Sequence, residues 1–294
     1  TSNAEIRLIS TLPFFILGNP RSGTSLLRII LNAHPNIVVP PESGFLQWWK
    51  SKYKNWERRD NYSDRLDQFI TDLLSSKKIE AFGLERIGIS DYIRECSPTS
   101  YSELVATIYR YYGRDKDIHV WGDKNNYYIH HIPELLELYP EARFVHLVRD
   151  GRDVACSYLE LNQIIESEAK YRPKLVNTIP GIAEEWVDNN QKIERELREC
   201  PLIFVRFEDL VTNFQSEITK IFDFLGLSWS DDVERYYLHN DEPESTLKWK
   251  QKTKMEPQKG TVGRFLHELD SSQIATFEKI AGQLLTKYQY KLLN

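Results

Sequence analysis

Residues 18–25 read Gly-Asn-Pro-Arg-Ser-Gly-Thr-Ser, the skeleton G-x-x-x-x-G-x-[ST]. In ATP-binding loops of this skeleton a lysine precedes the final Ser/Thr and reaches the β and γ phosphates. Here that position is Thr24, and the positive charge sits inside the loop at Arg21. The backbone N–H groups of such a loop still cradle a phosphate. Ser22, Gly23, Thr24 and Ser25 are therefore candidate phosphate ligands, with Arg21 as the accompanying cation. No clear acidic strand end is present to hold magnesium. These residue types suit a nucleotide whose single 5′-phosphate carries a further group.

The elements that must position these groups follow from the apolar pattern. Residues 13–17 (PFFIL) form a short apolar run closed by Gly18, as in a buried parallel strand. Residues 24–33 have helical spacing, and His34-Pro35 ends that helix. Strand, glycine-containing turn and helix in succession place backbone N–H groups at a helix N-terminus, where an anion binds. Residues 36–43 are extended, and 44–113 read as several aromatic-rich helices. Further strands are expected at 118–122, 142–148 and 201–207. Helices follow at 132–140, after Asp153 through about Leu161, after an Asp209 cap up to Gly226, and at 271–288. Residues 239–263 read as a mobile loop. Strands alternating with helices predict an α/β fold: a single P-loop-like domain over 1–294, its central parallel sheet flanked by helices, with 1–12 as a tail.

Whole-chain properties set outer limits. The 294 residues are 41% apolar and 28% charged, the profile of a globular protein. A net charge of −5 argues against a general nucleic-acid binder. Cys96, Cys156 and Cys200 have neither disulfide-framework nor zinc spacing. No window approaches the roughly 18–20 apolar residues of a membrane span. These features point to a cytoplasmic protein. Ser2-Asn3-Ala4 reads as a cloning remnant, which leaves an upstream anchor or domain open.

The segment PFFILGNPRSGTSLLRIILNAHP resembles the 5′-phosphosulfate loop of the sulfotransferase superfamily, in the branch of tyrosylprotein, bacterial and carbohydrate enzymes with a PRSGT loop. The resemblance implies 3′-phosphoadenosine-5′-phosphosulfate (PAPS) as co-substrate, PAP as product, and no metal. It implies that Arg149 and Ser157, in RFVHLVRDGRDVACSY, grip the 3′-phosphate. QKGTVGRF resembles the family's C-terminal glycine loop through Lys259, Gly260 and Gly263, although Gln258 and Phe265 depart from it. Lys259 and Arg264 are equally compatible with exposed charges.

Sulfuryl transfer needs cations on the leaving and transferring oxygens and a base at the acceptor hydroxyl. Arg21 and Lys124, the latter in WGDKNN, match the cations. Glu42, in VVPPESG, matches the base, with Pro40 and Pro41 stiffening its segment. His130 and His131 are the runner-up bases. His34 and His146 read as a helix-end and a core histidine. Trp186 reads as core, with adenine stacking as its alternative. The acceptor is a hydroxyl of a small molecule, carbohydrate or peptide. A P-loop small-molecule kinase and a non-catalytic PAP-binding module are the competing readings.

Overall fold

Phe14–Leu17 is a run of apolar side chains buried on both faces, which only the middle of a covered sheet accommodates. It forms β1 of a five-stranded sheet in a computed structural model that describes residues 12–57, 61–164, 174–243, 254 and 259–293. The other strands are β2 (Ile37–Val38), β3 (Val120–Lys124), β4 (Arg143–Val148) and β5 (Leu202–Arg206), in the order β2-β3-β1-β4-β5. β1 runs parallel to β3 in the register Phe14↔Gly122, Phe15↔Asp123, Ile16↔Lys124. β2 runs parallel to β3 with Ile37 opposite Val120. The expected parallel α/β sheet is present.

Three boundaries differ from the sequence expectation. β3 ends at Lys124 and not at 122, because Asp123 and Lys124 complete the ladder opposite Phe15 and Ile16. The extended stretch after the first helix contributes β2, too short to carry a period of its own. Asp209 does not cap the helix ending at Gly226. It lies inside a separate helix, Phe207–Thr212, and the following helix, Phe214–Leu225, begins after Asn213. Gly226 does close that helix, in left-handed conformation. Most of the loop expected at 239–263, and the expected tail apart from Leu12, lie outside the described residues.

The described residues form two compact units. The first comprises 12–16, 28–144 and 230–241; the second comprises 17–27, 145–229 and 242–293. In the first, Tyr109 packs against Trp121 at 4.3 Å between ring centroids and stacks on Phe45 at 5.7 Å. Phe15 stacks on Phe144 at 5.7 Å. In the second, Trp186 packs between Phe277 and Tyr288 in a core that includes Val148, Val154 and Leu285. The helices that matter for the site are α1 (Thr24–Asn32), α2 (Tyr101–Tyr112), α3 (Gly151–Ile164) and α4 (Ile179–Glu196). Among the described residues no helix is long and apolar enough to cross a membrane.

Candidate active site

In the second unit the loop after β1 is shaped by backbone conformation. Arg21 has φ 70° and Gly23 φ 95°, both left-handed, and Ser22 N–H closes a turn onto the Asn19 carbonyl at 3.1 Å. Changes of hand over successive residues turn N–H groups toward a common point, the geometry of an anion nest. Gly23 is required twice over: an added Cβ would meet the Phe207 ring at 2.5 Å, at a φ that L side chains rarely adopt. Gly18 is required by close approach, since its Cβ would lie 2.4 Å from the Leu147 carbonyl oxygen. Asn19 is fully buried; its side-chain Nδ2 donates to the Tyr158 hydroxyl at 3.1 Å, and its Oδ1 accepts from Asn189 Nδ2 at 2.7 Å. Those two bonds pin the loop to α3 and α4.

The cations of this unit converge on the loop. Arg21 Nε donates to Ser157 Oγ at 3.0 Å. Arg149 Nη1 donates to the Arg21 carbonyl at 3.3 Å and Nη2 to the Thr261 carbonyl at 2.6 Å. Its guanidinium lies 4.8 Å over the Phe207 ring, and its own carbonyl accepts the Trp186 indole N–H at 3.1 Å. Asp153, one turn into α3, accepts from Gly263 N–H at 2.8 Å and Phe265 N–H at 3.0 Å. Through Arg149 and Asp153 the C-terminal glycine loop is fastened beside the phosphate loop.

Burial, and then the nearby charge of Arg149, hold the Arg21 guanidinium down to about 10. Burial likewise lowers Arg149. Two cations disfavoured in this way are stabilised by an anion placed between them. Among the described residues, Ser22 Oγ and Arg149 Nε are moreover buried without a hydrogen-bond partner. Buried polar atoms of that kind are uncommon in native structures and mark a place for a bound group. The residues present thus fit a phosphate.

The other candidate residues of this unit have different fates. Arg264 is held by Glu160 and Glu268, each at 2.8 Å, so its charge is committed locally. Gly263 is left-handed at φ 75°, as a tight loop requires, and Gly260 is exposed. The side chain of Lys259, and Gln258 altogether, lie outside the described residues. Trp186 is fully buried, so its ring serves the core and its N–H serves Arg149. His146 is a core histidine: Nε2 bonds Asn190 at 2.9 Å, and burial lowers it to about 4.

In the first unit, Lys124 ends β3 almost wholly buried, and its ammonium donates to Glu42 Oε1. Glu42 Oε2 accepts from Lys78 at 2.8 Å. The Glu42 segment is held from both sides. Val39 N–H donates to Asn32 Oδ1 at 2.9 Å, and Arg28 donates to the Val39 carbonyl at 2.9 Å, so α1 fixes the backbone just before Pro40. Ser43 Oγ donates to the Lys77 carbonyl at 3.1 Å. Asp123, next to Lys124, is buried, and burial pushes its carboxyl up to about 6. It accepts the hydroxyls of Tyr109 at 2.6 Å and Tyr128 at 2.7 Å. Asn125 accepts Tyr127 N–H at 3.1 Å and so turns the chain after β3. His131 bonds Glu134 at 3.1 Å and stacks on Tyr127 at 4.2 Å, while His130 is exposed. His34 accepts Asn36 N–H at 3.1 Å, as a helix-end residue.

Sequence reasoning missed Lys78, Asp123, Tyr128 and Asn19. Asn19 sits inside the loop motif and could have been singled out there. Lys78 lies in an ordinary polar Ser-Ser-Lys-Lys run, and Asp123 looks like any strand-end acid, so neither carries a sequence signal. Among the described residues no group of three or more His, Cys, Asp or Glu could hold a metal ion.

Fold and site together define an α/β protein whose first loop is shaped as an anion nest and has Thr24 where ATP-binding loops have lysine. The profile of the sulfotransferase family matches residues 13–231, and the chain belongs to that family. It is 26% identical over 250 residues to protein-tyrosine sulfotransferase 2 of Gallus gallus, covering 82% of this chain. The chain spans 57% of the length of that relative. Among solved structures, the sulfotransferase domain of the Synechococcus PCC 7002 olefin synthase superposes with a TM-score of 0.64 at 21% identity, over 95% of both chains. A mouse sulfotransferase complexed with PAP superposes with a TM-score of 0.52 at 15% identity, over 95% of this chain and 89% of that one.

Proposed function

We propose that this chain transfers a sulfuryl group from PAPS to an acceptor hydroxyl. The observation that carries the reading is the pair of buried arginines, Arg21 and Arg149, gathered on a phosphate loop that has Thr24 where an ATP loop has lysine. PAP in the mouse structure of the same fold, and membership of the sulfotransferase family, support PAPS as co-substrate. The relatives named protein-tyrosine sulfotransferase support a tyrosine hydroxyl of a peptide as acceptor.

Bound PAPS would supply an activated sulfuryl group for in-line displacement. The chain's own groups bind, orient and move the proton. Backbone N–H groups of Ser22, Gly23, Thr24 and Ser25, with Ser22 Oγ, hold the 5′-phosphate. Arg149 and Ser157 hold the 3′-phosphate; Ser157 Oγ accepts from Arg21 and so has its own O–H left to donate. Arg21 and Lys124 stabilise negative charge as it moves to the leaving oxygen. Glu42 takes the acceptor's proton, and Lys124 holds its carboxylate in place for that purpose.

The deciding experiment is calorimetric titration with PAP, with ATP–magnesium as control. Binding of PAP without binding of ATP is expected. ATP binding without PAP binding would replace this reading by a kinase. Turnover of PAPS with a tyrosine-containing peptide, lost in Glu42→Gln, separates an enzyme from a non-catalytic PAP-binding module.

A further inference from the structure

Five described non-glycine residues have left-handed backbone: Arg21, Asn61, Lys78, Ser97 and Gln289. Two of them are basic. Arg21 belongs to the phosphate loop; Lys78, at φ 65° and ψ 5°, precedes a short 3₁₀ turn, Ile79–Phe82. A side chain in this region costs about 1–2 kcal/mol that glycine would avoid. Strain of this kind persists where the surroundings over-determine it and where a side chain is needed at that spot.

What surrounds Lys78 satisfies both conditions. Its turn is fastened to the segment that bears Glu42: Ser43 Oγ donates to the Lys77 carbonyl at 3.1 Å, and Trp49 Nε1 donates to Ser76 Oγ at 2.8 Å. The Lys78 ammonium then meets Glu42 Oε2 at 2.8 Å, while Lys124 takes Oε1. Each carboxylate oxygen of the candidate base thus has its own lysine. The two lysines are not equivalent. Lys124 is buried at a strand end; the Lys78 side chain is about a quarter exposed (27%) on a turn and can swing away.

We infer that Lys78 is a positioning residue for sulfuryl transfer: it holds Glu42 in its working orientation, sets its basicity, and releases Oε2 when an acceptor hydroxyl arrives. The inference rests on Glu42 being the base. A carboxylate between two ammonium groups is a weaker base than one beside a single ammonium, because each opposite charge favours the ionised form. Lys124 holds Glu42 at Oε1, and Lys78 adds a second restraint at Oε2. Charged groups facing Glu42 include Lys124 from β3 and Lys78 from the turn. Asp123 also lies on β3 but spends its bonds on Tyr109 and Tyr128.

The test uses Lys78→Gly, which removes the ammonium and relaxes the backbone, so loss of fold does not confuse the result. Carbon-13 carboxyl NMR of the full chain without nucleotide follows Glu42, assigned by its disappearance in Glu42→Gln. Lys78→Gly is expected to move the Glu42 midpoint to higher pH by about one unit, the lower end of the range for losing one close opposite charge. Lys78→Arg is expected to restore it. The acid limb of kcat/KM for PAPS with a tyrosine-containing peptide should move in the same direction. An unmoved midpoint and an unmoved limb in Lys78→Gly would overturn the inference. A moved midpoint with near-normal turnover in Glu42→Gln would instead overturn the base assignment, and with it any catalytic meaning of Lys78.

Discussion

The two units present charge in opposite ways. In the second, the candidate nucleotide site consists of backbone N–H groups and two arginines whose donors are tied to main-chain oxygens and to Ser157. Arg149 pairs with Asp153 at 4.0 Å, and burial lowers both arginines. In the first unit the candidate base is paired on both oxygens: Glu42 lies between Lys124 and Lys78, while Asp123 accepts two tyrosine hydroxyls on Oδ2. The difference matches two tasks. A site that must bind a polyanion gathers arginines onto a loop of backbone N–H groups. A site that must pass a proton holds its groups in a compensated pair and shifts them only when substrate arrives.

If that contrast holds, damage in one unit should leave the other's task intact. The largest separation is expected for Glu42→Gln. Turnover should fall by about 10²–10⁴-fold, the usual worth of a general base, while calorimetric PAP affinity stays unchanged. Near-normal turnover would break the contrast and move the base to His130 or His131.

The pH dependence of stability sharpens it from the other direction. Asp123 is pushed up to about 6 by burial, against about 3.9 in an unfolded chain. Between those values the folded state binds more protons, so stability falls as pH rises from about 4 to 6, by up to about 3 kcal/mol. Asp123→Asn should flatten that slope in denaturant melts at several pH values and leave PAP affinity alone. A slope unchanged in the variant would place the titration elsewhere.

Arg149→Ala is expected to weaken PAP by about 1.5–3 kcal/mol, the range for a hydrogen bond to a charged group. The Glu42 midpoint in carboxyl NMR should not move. Unchanged PAP affinity would remove Arg149 from the phosphate grip. The smallest effect is expected for Trp186→Phe, which keeps a ring in the core and deletes the N–H on the Arg149 carbonyl. It should cost about 0.5–1.5 kcal/mol in melting experiments, with a PAP affinity loss smaller than that of Arg149→Ala.

Much of the architecture was legible locally. The apolar run before Gly18, the PRSGT string and the helix after it are contiguous, so residue type and spacing specify strand, turn and helix together. The same holds for β4 and α3, where Arg149 follows the strand and Asp153 enters the helix. Boundaries that depend on a partner strand were not legible: β3 reaches Lys124 only because Ile16 lies opposite it. The double helix after β5 hid behind one continuous amphipathic pattern, which does not reveal a break at Asn213.

The amino-acid sequence by itself determined the phosphate loop, the parallel α/β plan and the identity of Arg21, Arg149, Ser157, Lys124 and Glu42 as candidates, because those signals reside in neighbouring residues. Only the tertiary structure decided what each candidate touches. Lys78 and Glu42 are 36 residues apart, Lys124 and Glu42 82, and Arg149 and Thr261 112. Contacts across such distances are set by how strands align and turns dock, and no local pattern encodes them. Packing therefore brought Lys78 onto Glu42, buried Asp123 between two tyrosines, and spent Arg264 on Glu160 and Glu268.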